Sequence, residues 1–188
     1  LTAEAALDQQ LFVRPSHTQL RGDPDKALAE APNRLQAQMH VGGQEHFYLE
    51  GQACLVEPTE DAGVFVHTSS QHPSEVQKLV AEVLDLPIHE VQVEVRPIGG
   101  GFGGKETQAA PLPGISALLV RRTGRPVKYR MARYDDIVQT GKRHDFFNTY
   151  DIGFDNEGVL RGADFMVAGR CGFSPDLSDA IVDRAMFH

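Results

Sequence analysis

A glycine-rich segment at residues 98–107, Ile-Gly-Gly-Gly-Phe-Gly-Gly-Lys-Glu-Thr, constrains this chain more than any other feature. Glycine has no Cβ, so its N–H group can approach a ligand closely and its backbone reaches positive φ without steric cost. Ordering so many glycines costs more conformational entropy than ordering other residues. A loop with five glycines in six positions around one phenylalanine, Phe102, is therefore predicted to cradle a ligand.

Length, composition and charge favour a soluble globular protein that binds neither nucleic acid nor membrane. The 188 residues suit one domain, and a hydrophobic content of 41% is enough for a core. A net charge of −8 argues against nucleic-acid binding, which depends on Lys and Arg to neutralise phosphates. No apolar stretch approaches the ~20 residues that span a bilayer. The two cysteines, Cys54 and Cys171, form no disulfide framework, which favours a reducing, cytoplasmic location.

Local sequence signals predict an α+β fold, because helices and strands alternate without a regular βαβ repeat. Helices are expected at residues 2–10, 23–31, 74–84, 107–122, 134–140 and 176–187. Strands are expected at residues 35–41, 52–56, 63–68, 91–95, 126–131, 146–154 and 159–167. Pro111 and Pro113 are expected to disturb the start of the fourth helix.

Two common glycine-rich motifs fit the segment poorly. The pattern Gly99-x-Gly101-x-x-Gly104 matches the dinucleotide fingerprint, but prolines follow it and arginines stand where that fingerprint needs an acidic residue. The segment also differs from a phosphate-binding P-loop, because Glu106 stands where Ser or Thr would coordinate Mg²⁺. Two like charges ~4 Å apart repel by 1–4 kcal/mol in water or near a protein surface. The sequence therefore disfavours both kinds of nucleotide site.

The segment resembles a signature of the molybdenum-pterin hydroxylases, the family of the xanthine dehydrogenases and aldehyde oxidases. Residues 100–107, Gly-Gly-Phe-Gly-Gly-Lys-Glu-Thr, carry this likeness. Residues 42–50, Gly-Gly-Gln-Glu-His-Phe-Tyr-Leu-Glu, are similar to a second signature of the family, and shorter similarities follow at 123–127, 143–144 and 184–188. The resemblance implies an α+β, mixed-sheet domain that binds molybdopterin.

The resemblance also implies which residues face the molybdenum cofactor. Gln44 is expected beside the metal, where its amide would donate a hydrogen bond to an oxo ligand as a second-shell contact. Gly101, Phe102 and Gly103 are expected near the molybdenum–pterin, with the backbone around Phe102 and Gly103 lending N–H groups to it. No residue of this chain is expected to act as the catalytic base, which belongs to segments that the chain does not contain.

Glu106 is the candidate for substrate binding. A glutamate after Gly-Gly-Lys is typical of the family members that oxidise purines, whereas the aldehyde-oxidising members usually have an apolar residue there. A carboxyl group can pair with the N–H and C=O edge of a purine but would be left unpaired beside an apolar aldehyde. The role of the neighbouring Lys105 stays open.

The function that the resemblance implies is the oxidative hydroxylation of hypoxanthine and xanthine to urate at a molybdenum–pterin centre. Electrons would pass through 2Fe–2S clusters and FAD to NAD. Because the family's molybdenum domains are several times longer, residues 1–188 are expected to be part of one such domain, with 1–33 a weakly matched N-terminal connecting segment.

The expected partners are the rest of the molybdenum subunit and a chain or domains that hold the Fe–S clusters and FAD, in a dimer of the whole enzyme. The first residue, Leu1 rather than Met, agrees with a piece of a longer protein. Two alternatives remain open. One is an aldehyde oxidase-type hydroxylase, and the other is a structural domain of such an enzyme without catalytic function.

Overall fold

The computed structural model describes residues 1–187 and divides them into two compact units. The first unit consists of residues 1–44 and 144–187, and the second of residues 45–143. In chain order the elements are α1 (Ala3–Asp8), α2 (Pro24–Glu30), β1 (Asn33–Val41), β2 (Ala53–Pro58), β3 (Val64–Thr68), α3 (Pro73–Leu84), β4 (Val91–Glu94), α4 (Pro111–Thr123), β5 (Val127–Arg130), α5 (Arg133–Gln139), β6 (Phe146–Phe154), β7 (Leu160–Gly169) and α6 (Ser178–Phe187).

The first unit contains a three-stranded antiparallel sheet in the order β1–β6–β7. The strands expected at residues 146–154 and 159–167 are confirmed as β6 and β7, which form a hairpin whose turn places Gly158 at a φ of +82°. The two N-terminal helices begin as the sequence indicates. Thr2 Oγ1 accepts a hydrogen bond from the Ala5 N–H at 3.2 Å, and Asp23 Oδ1 accepts one from the Lys26 N–H at 3.0 Å.

One face of this sheet is apolar and exposed. Alternation in β1 predicts a strand with a buried apolar face, and the strand is confirmed, but Leu35 and Met39 are 51% and 52% exposed. Phe165 of β7 lies on the same face by register and is 61% exposed. The expected burial is wrong because the described residues leave this part of the sheet uncovered.

The second unit contains a four-stranded mixed sheet in the order β4–β3–β2–β5, in which β3 and β4 are parallel and the other pairs antiparallel. Helices α3 and α4 pack against this sheet and against each other. Five apolar residues at helical spacing predict the buried face of α3. Val76, Val80 and Leu84 are buried and Leu79 is partly buried against the core, whereas Val83 is 39% exposed. The core of this unit is formed by Cys54, Val56, Val64, Val66, Val76, Val80, Ala81, Leu84, Val91, Ala110, Leu112, Ala117, Val120 and Met131.

Two prolines open α4 without disturbing it. The helix begins at Pro111 rather than at the expected residue 107, and Pro113 lies in its first turn without interrupting it. The first four N–H groups of a helix have no partner within it, so a proline there removes no hydrogen bond. The longest helix within residues 1–187 has 13 residues, and none of these helices is long and apolar enough to cross a bilayer.

Candidate functional site

The glycine-rich segment forms a loop between β4 and α4 in the second unit. Gly100 and Gly103 have φ values of +95° and +91°, which confirms the predicted need for glycine there. Phe102 lies between them at a φ of +54°, and it is 61% exposed. A residue other than glycine in this region costs about 1–3 kcal/mol, so the surrounding contacts must hold the loop in place.

Gln71 makes three hydrogen bonds to this loop. The side-chain oxygen Oε1 accepts from the Gly103 N–H at 3.0 Å and from the Lys105 N–H at 3.1 Å. The backbone N–H of Gln71 donates to the Lys105 carbonyl at 2.8 Å. A Cβ on Gly101 would lie 2.4 Å from Gln71 Oε1, so the side chain occupies the space that glycine leaves. Gln71 was not predicted, and nothing in the sequence around it signals this role.

An ion pair between the buried Lys105 and the partly exposed Glu50 anchors the end of the loop. The Lys105 side chain is fully buried, and its Nζ donates to Glu50 Oε2 at 3.1 Å and to Ser69 Oγ at 2.6 Å. The Ser69 hydroxyl in turn donates to Glu50 Oε2. Glu50 and Gly99 also exchange a pair of bonds, because the Gly99 N–H donates to Glu50 Oε2 and the Glu50 N–H to the Gly99 carbonyl. The contacts of the Lys105 side chain are therefore structural, because they hold the end of the loop in place.

The contacts of Glu50 decide its charge. Burial alone would raise the pKa of this carboxyl group, but the hydrogen bonds from Ser69 and the Gly99 N–H, together with the Lys105 ammonium, outweigh it and hold the pKa below the ordinary value. Glu50 is therefore ionised at neutral pH and balances the buried positive charge of Lys105.

A second buried network lies behind the loop. The Tyr48 hydroxyl donates to Asp136 Oδ1 at 2.6 Å, and Gln52 Nε2 donates to that hydroxyl at 3.0 Å and to the Gly104 carbonyl at 3.1 Å. Asp136 Oδ2 accepts from the Gln52 N–H at 3.0 Å. Burial, together with the hydrogen bond to Asp136, raises the pKa of Tyr48 to about 12. The tyrosine is therefore neutral, its hydroxyl is held by hydrogen bonds, and the loop packs against its ring at Gly104.

Substituting Gly104 tests how tightly the loop packs against His46 and Tyr48. A Cβ at position 104 would lie 2.8 Å from both the His46 ring and Tyr48 Cε1, and Tyr48 is held by Asp136. We expect Gly104→Ala to destabilise the full-length protein by about 1–3 kcal/mol, the usual cost of overpacking. Thermal unfolding would measure this, with Gly42→Ala as control because its Cβ would meet nothing within 4 Å. Equal midpoints for the two variants would contradict the packing described.

The substrate candidate, Glu106, lies on the partly open side of the loop. It is half-buried, and it makes no hydrogen bond or ion pair with another residue of the described range 1–187. The site of a Cβ on Gly103 lies 3.9 Å from both Glu106 Oε1 and His46 Nε2, so these two polar groups flank the same glycine. Burial lowers the pKa of His46, which is therefore neutral at pH 7.

The candidates for cofactor contact divide between the two units. Gly101, Phe102 and Gly103 belong to the loop of the second unit, whereas Gln44 belongs to the first unit, where it is exposed and follows β1 by three residues. Within the described residues the N–H groups of Gly101 and Phe102 have no hydrogen-bond acceptor. The Gly103 N–H already donates to Gln71.

The comparison with known proteins decides the family. Residues 7–188 match the molybdopterin cofactor-binding domain family. The chain belongs to this family. Its sequence is 40% identical over 190 residues to a xanthine dehydrogenase of Calliphora vicina and 36% identical over 189 residues to a xanthine dehydrogenase/oxidase of Gallus gallus. It is also 34% identical over 187 residues to aldehyde oxidase 3 of Rattus norvegicus.

The coverage of these relatives is strongly asymmetric. Each alignment includes 99–100% of this molybdopterin-family chain but only 14% of the relative.

Solved structures share the fold. Quinoline 2-oxidoreductase from Pseudomonas putida 86 matches with a TM-score of 0.68 at 23% identity, over 78% of this chain and 19% of that one. An aldehyde oxidoreductase from Desulfovibrio gigas matches with a TM-score of 0.64 at 23% identity, over 78% of this chain and 16% of that one.

Proposed function

We propose that this chain forms one wall of the active site of a purine-oxidising molybdenum hydroxylase of the xanthine dehydrogenase type. The observation that carries the proposal is the loop of residues 98–107, which presents unpartnered main-chain N–H groups and a carboxylate on a rigid support. Identities of 36–40% to xanthine dehydrogenases over the whole chain support it. The proposed domain extends over residues 1–188.

The residues present fit a molybdopterin cofactor. The N–H groups of the buried Gly101 and the exposed Phe102 have no acceptor within the described residues, and a Cβ on Gly103 would meet nothing nearer than 3.9 Å. Such main-chain donors suit the polar, anionic groups of a pterin phosphate. Gln44, which is neutral, would donate its amide to an oxo ligand of the metal. When bound, the cofactor supplies the oxidative hydroxylation chemistry, and the protein supplies binding and orientation.

Glu106 is proposed to orient the purine. Its carboxyl group has no competing partner among residues 1–187, so it is available to pair with the polar edge of a heterocycle. Its position directly after Lys105, whose side chain is fully buried, fixes the backbone from which it projects. Its task would be to hold the substrate in one orientation, which raises the rate by positioning.

The whole enzyme requires far more protein than this chain. Because the chain spans 14% of the length of its relatives, we propose that the rest of a molybdenum subunit completes the site. The proposed partners are domains or a chain that carry 2Fe–2S clusters and FAD and deliver electrons to NAD, within a cytoplasmic dimer. The chemical base that such a reaction needs would come from that remaining part.

Metal and pterin analysis of the intact protein tests the proposal. We expect the full-length protein, purified with its neighbouring chains, to contain about one molybdenum and one pterin for each copy of this chain, and to oxidise xanthine. Plasma mass spectrometry and fluorescence of the oxidised pterin would measure both. Absence of molybdenum from an otherwise folded complex would support the alternative of a structural domain and refute a catalytic role.

A further inference from the structure

We infer that Gln71 is a positioning residue that holds the glycine-rich loop in the conformation needed by Phe102 and Glu106. This inference rests on the proposed function, because it concerns the same site. Gln71 lies two residues before α3, outside both signatures of residues 42–50 and 100–107, and its hydrogen bonds to the loop are made to backbone groups.

The hydrogen bonds of Gln71 bracket the strained part of the loop. Its Oε1 binds the N–H groups of Gly103 and Lys105, which lie just after Phe102 and just before Glu106. One oxygen therefore fixes the backbone on either side of Gly104. The bond from the Gln71 N–H to the Lys105 carbonyl ties the loop to the chain ahead of α3 by a separate contact. A rotation of this backbone would break at least two of the three bonds.

The position of Phe102 requires such a restraint. Its φ of +54° is unfavourable for a residue with a side chain, and its exposed ring contributes little packing that could compensate. Gly101 and Gly103 on either side impose no conformation of their own. Gln71 Oε1 occupies the space beside Gly101, where an added Cβ would lie only 2.4 Å from it. The loop is thus wrapped around the Gln71 amide.

Substitution of Gln71 in the full-length, molybdenum-containing enzyme tests this role. Gln71→Met keeps the length of the side chain but removes the acceptor, whereas Gln71→Glu keeps an acceptor oxygen. We expect Gln71→Met to lower kcat/KM for xanthine, normalised to molybdenum content, by about tenfold, the equivalent of one to two hydrogen bonds. We also expect amide exchange to accelerate in the peptide covering residues 98–107. Gln71→Glu should restore both properties to near the wild-type level.

Gln77 provides a matched control on α3. Its Nε2 donates to the carbonyls of Ile88 and Val91, away from the loop, so Gln77→Met removes a comparable pair of backbone bonds without touching the site. The inference fails if Gln71→Met matches Gln77→Met in both exchange and kinetics, or if Gln71→Glu is as impaired as Gln71→Met.

A fourth variant and the wild-type protein keep the test decisive. If Gln71→Met does not fold, Gln71→Asn, which retains the amide on a side chain one methylene shorter, should show the same faster exchange at residues 98–107, and wild-type exchange would overturn the inference. If the wild-type protein holds no molybdenum, the proposed function fails. The exchange comparison then still decides whether Gln71 restrains the loop.

Discussion

Glu50→Gln is expected to destabilise the second unit by about 3 kcal/mol, because it leaves a fully buried ammonium without its counter-ion. The reverse change, Lys105→Met, should cost less. The Glu50 side chain is 44% exposed, so water can solvate the carboxylate that remains after Lys105 is removed. Denaturant unfolding of the full-length protein, followed by amide exchange in residues 46–107, would measure both losses. A larger loss for Lys105→Met would contradict this account.

The pH dependence of stability provides a second measurement of the same pair. The folded-state pKa of Glu50 lies below the ordinary value of 4.5, so the folded state binds this proton less readily than the unfolded state. The stability from Glu50 is therefore fully present above pH 4.5 and is lost as the pH falls through the lower folded-state value. Glu50→Gln should remove this part of the acid sensitivity. An unchanged acid transition would show that Glu50 carries no such linkage.

Glu106→Leu is expected to lower kcat/KM for xanthine by roughly 100-fold or more while leaving the oxidation of an aromatic aldehyde within a few fold of wild type. The reason is that a site built to hydrogen-bond a polar substrate discriminates strongly when that bond is lost, whereas an apolar substrate loses nothing. Steady-state kinetics on both substrates, normalised to molybdenum content, would measure the difference.

Glu106→Gln is the matched control for this substitution. It preserves the size of the side chain and one acceptor oxygen, but it removes the charge and replaces the other oxygen with an NH2 donor, so purine turnover should fall less than in Glu106→Leu. Unfolding measurements should show little change in either variant, because Glu106 makes no hydrogen bond or ion pair within residues 1–187. Equal losses on purine and aldehyde, or no loss on either, would favour the aldehyde oxidase-type alternative.

Local signals predicted most of the elements of this fold. Apolar residues at helical spacing located α3, and alternation located β4. The turn residues 155–158 located the hairpin of β6 and β7, and Thr2 and Asp23 marked the starts of the first two helices. These features depend on residues close together in the sequence, which explains why they could be predicted. The burial of β1 could not be predicted, because alternation shows that one face is apolar but does not show what covers it.

The support of the candidate site was beyond prediction for a related reason. The glycine-rich segment is recognisable from the sequence alone, and the positive φ values at Gly100 and Gly103 are typical of glycine. The side chains that fix it lie 34 and 55 residues before Lys105, in Gln71 and Glu50. Only the paired tertiary contacts show why Lys105 is buried, since a lysine beside a glutamate in sequence usually lies on the surface.

The exposed apolar face of the β1–β6–β7 sheet has a consequence for biosynthesis. β1 is an outer strand of nine residues that pairs only with β6 within the described part of the chain, so one row of its backbone groups is open. An unshielded strand of this kind is a template for pairing with another copy. The apolar face and the open edge of this sheet would therefore promote self-association, and overproduction of residues 1–187 by themselves would favour inclusion bodies.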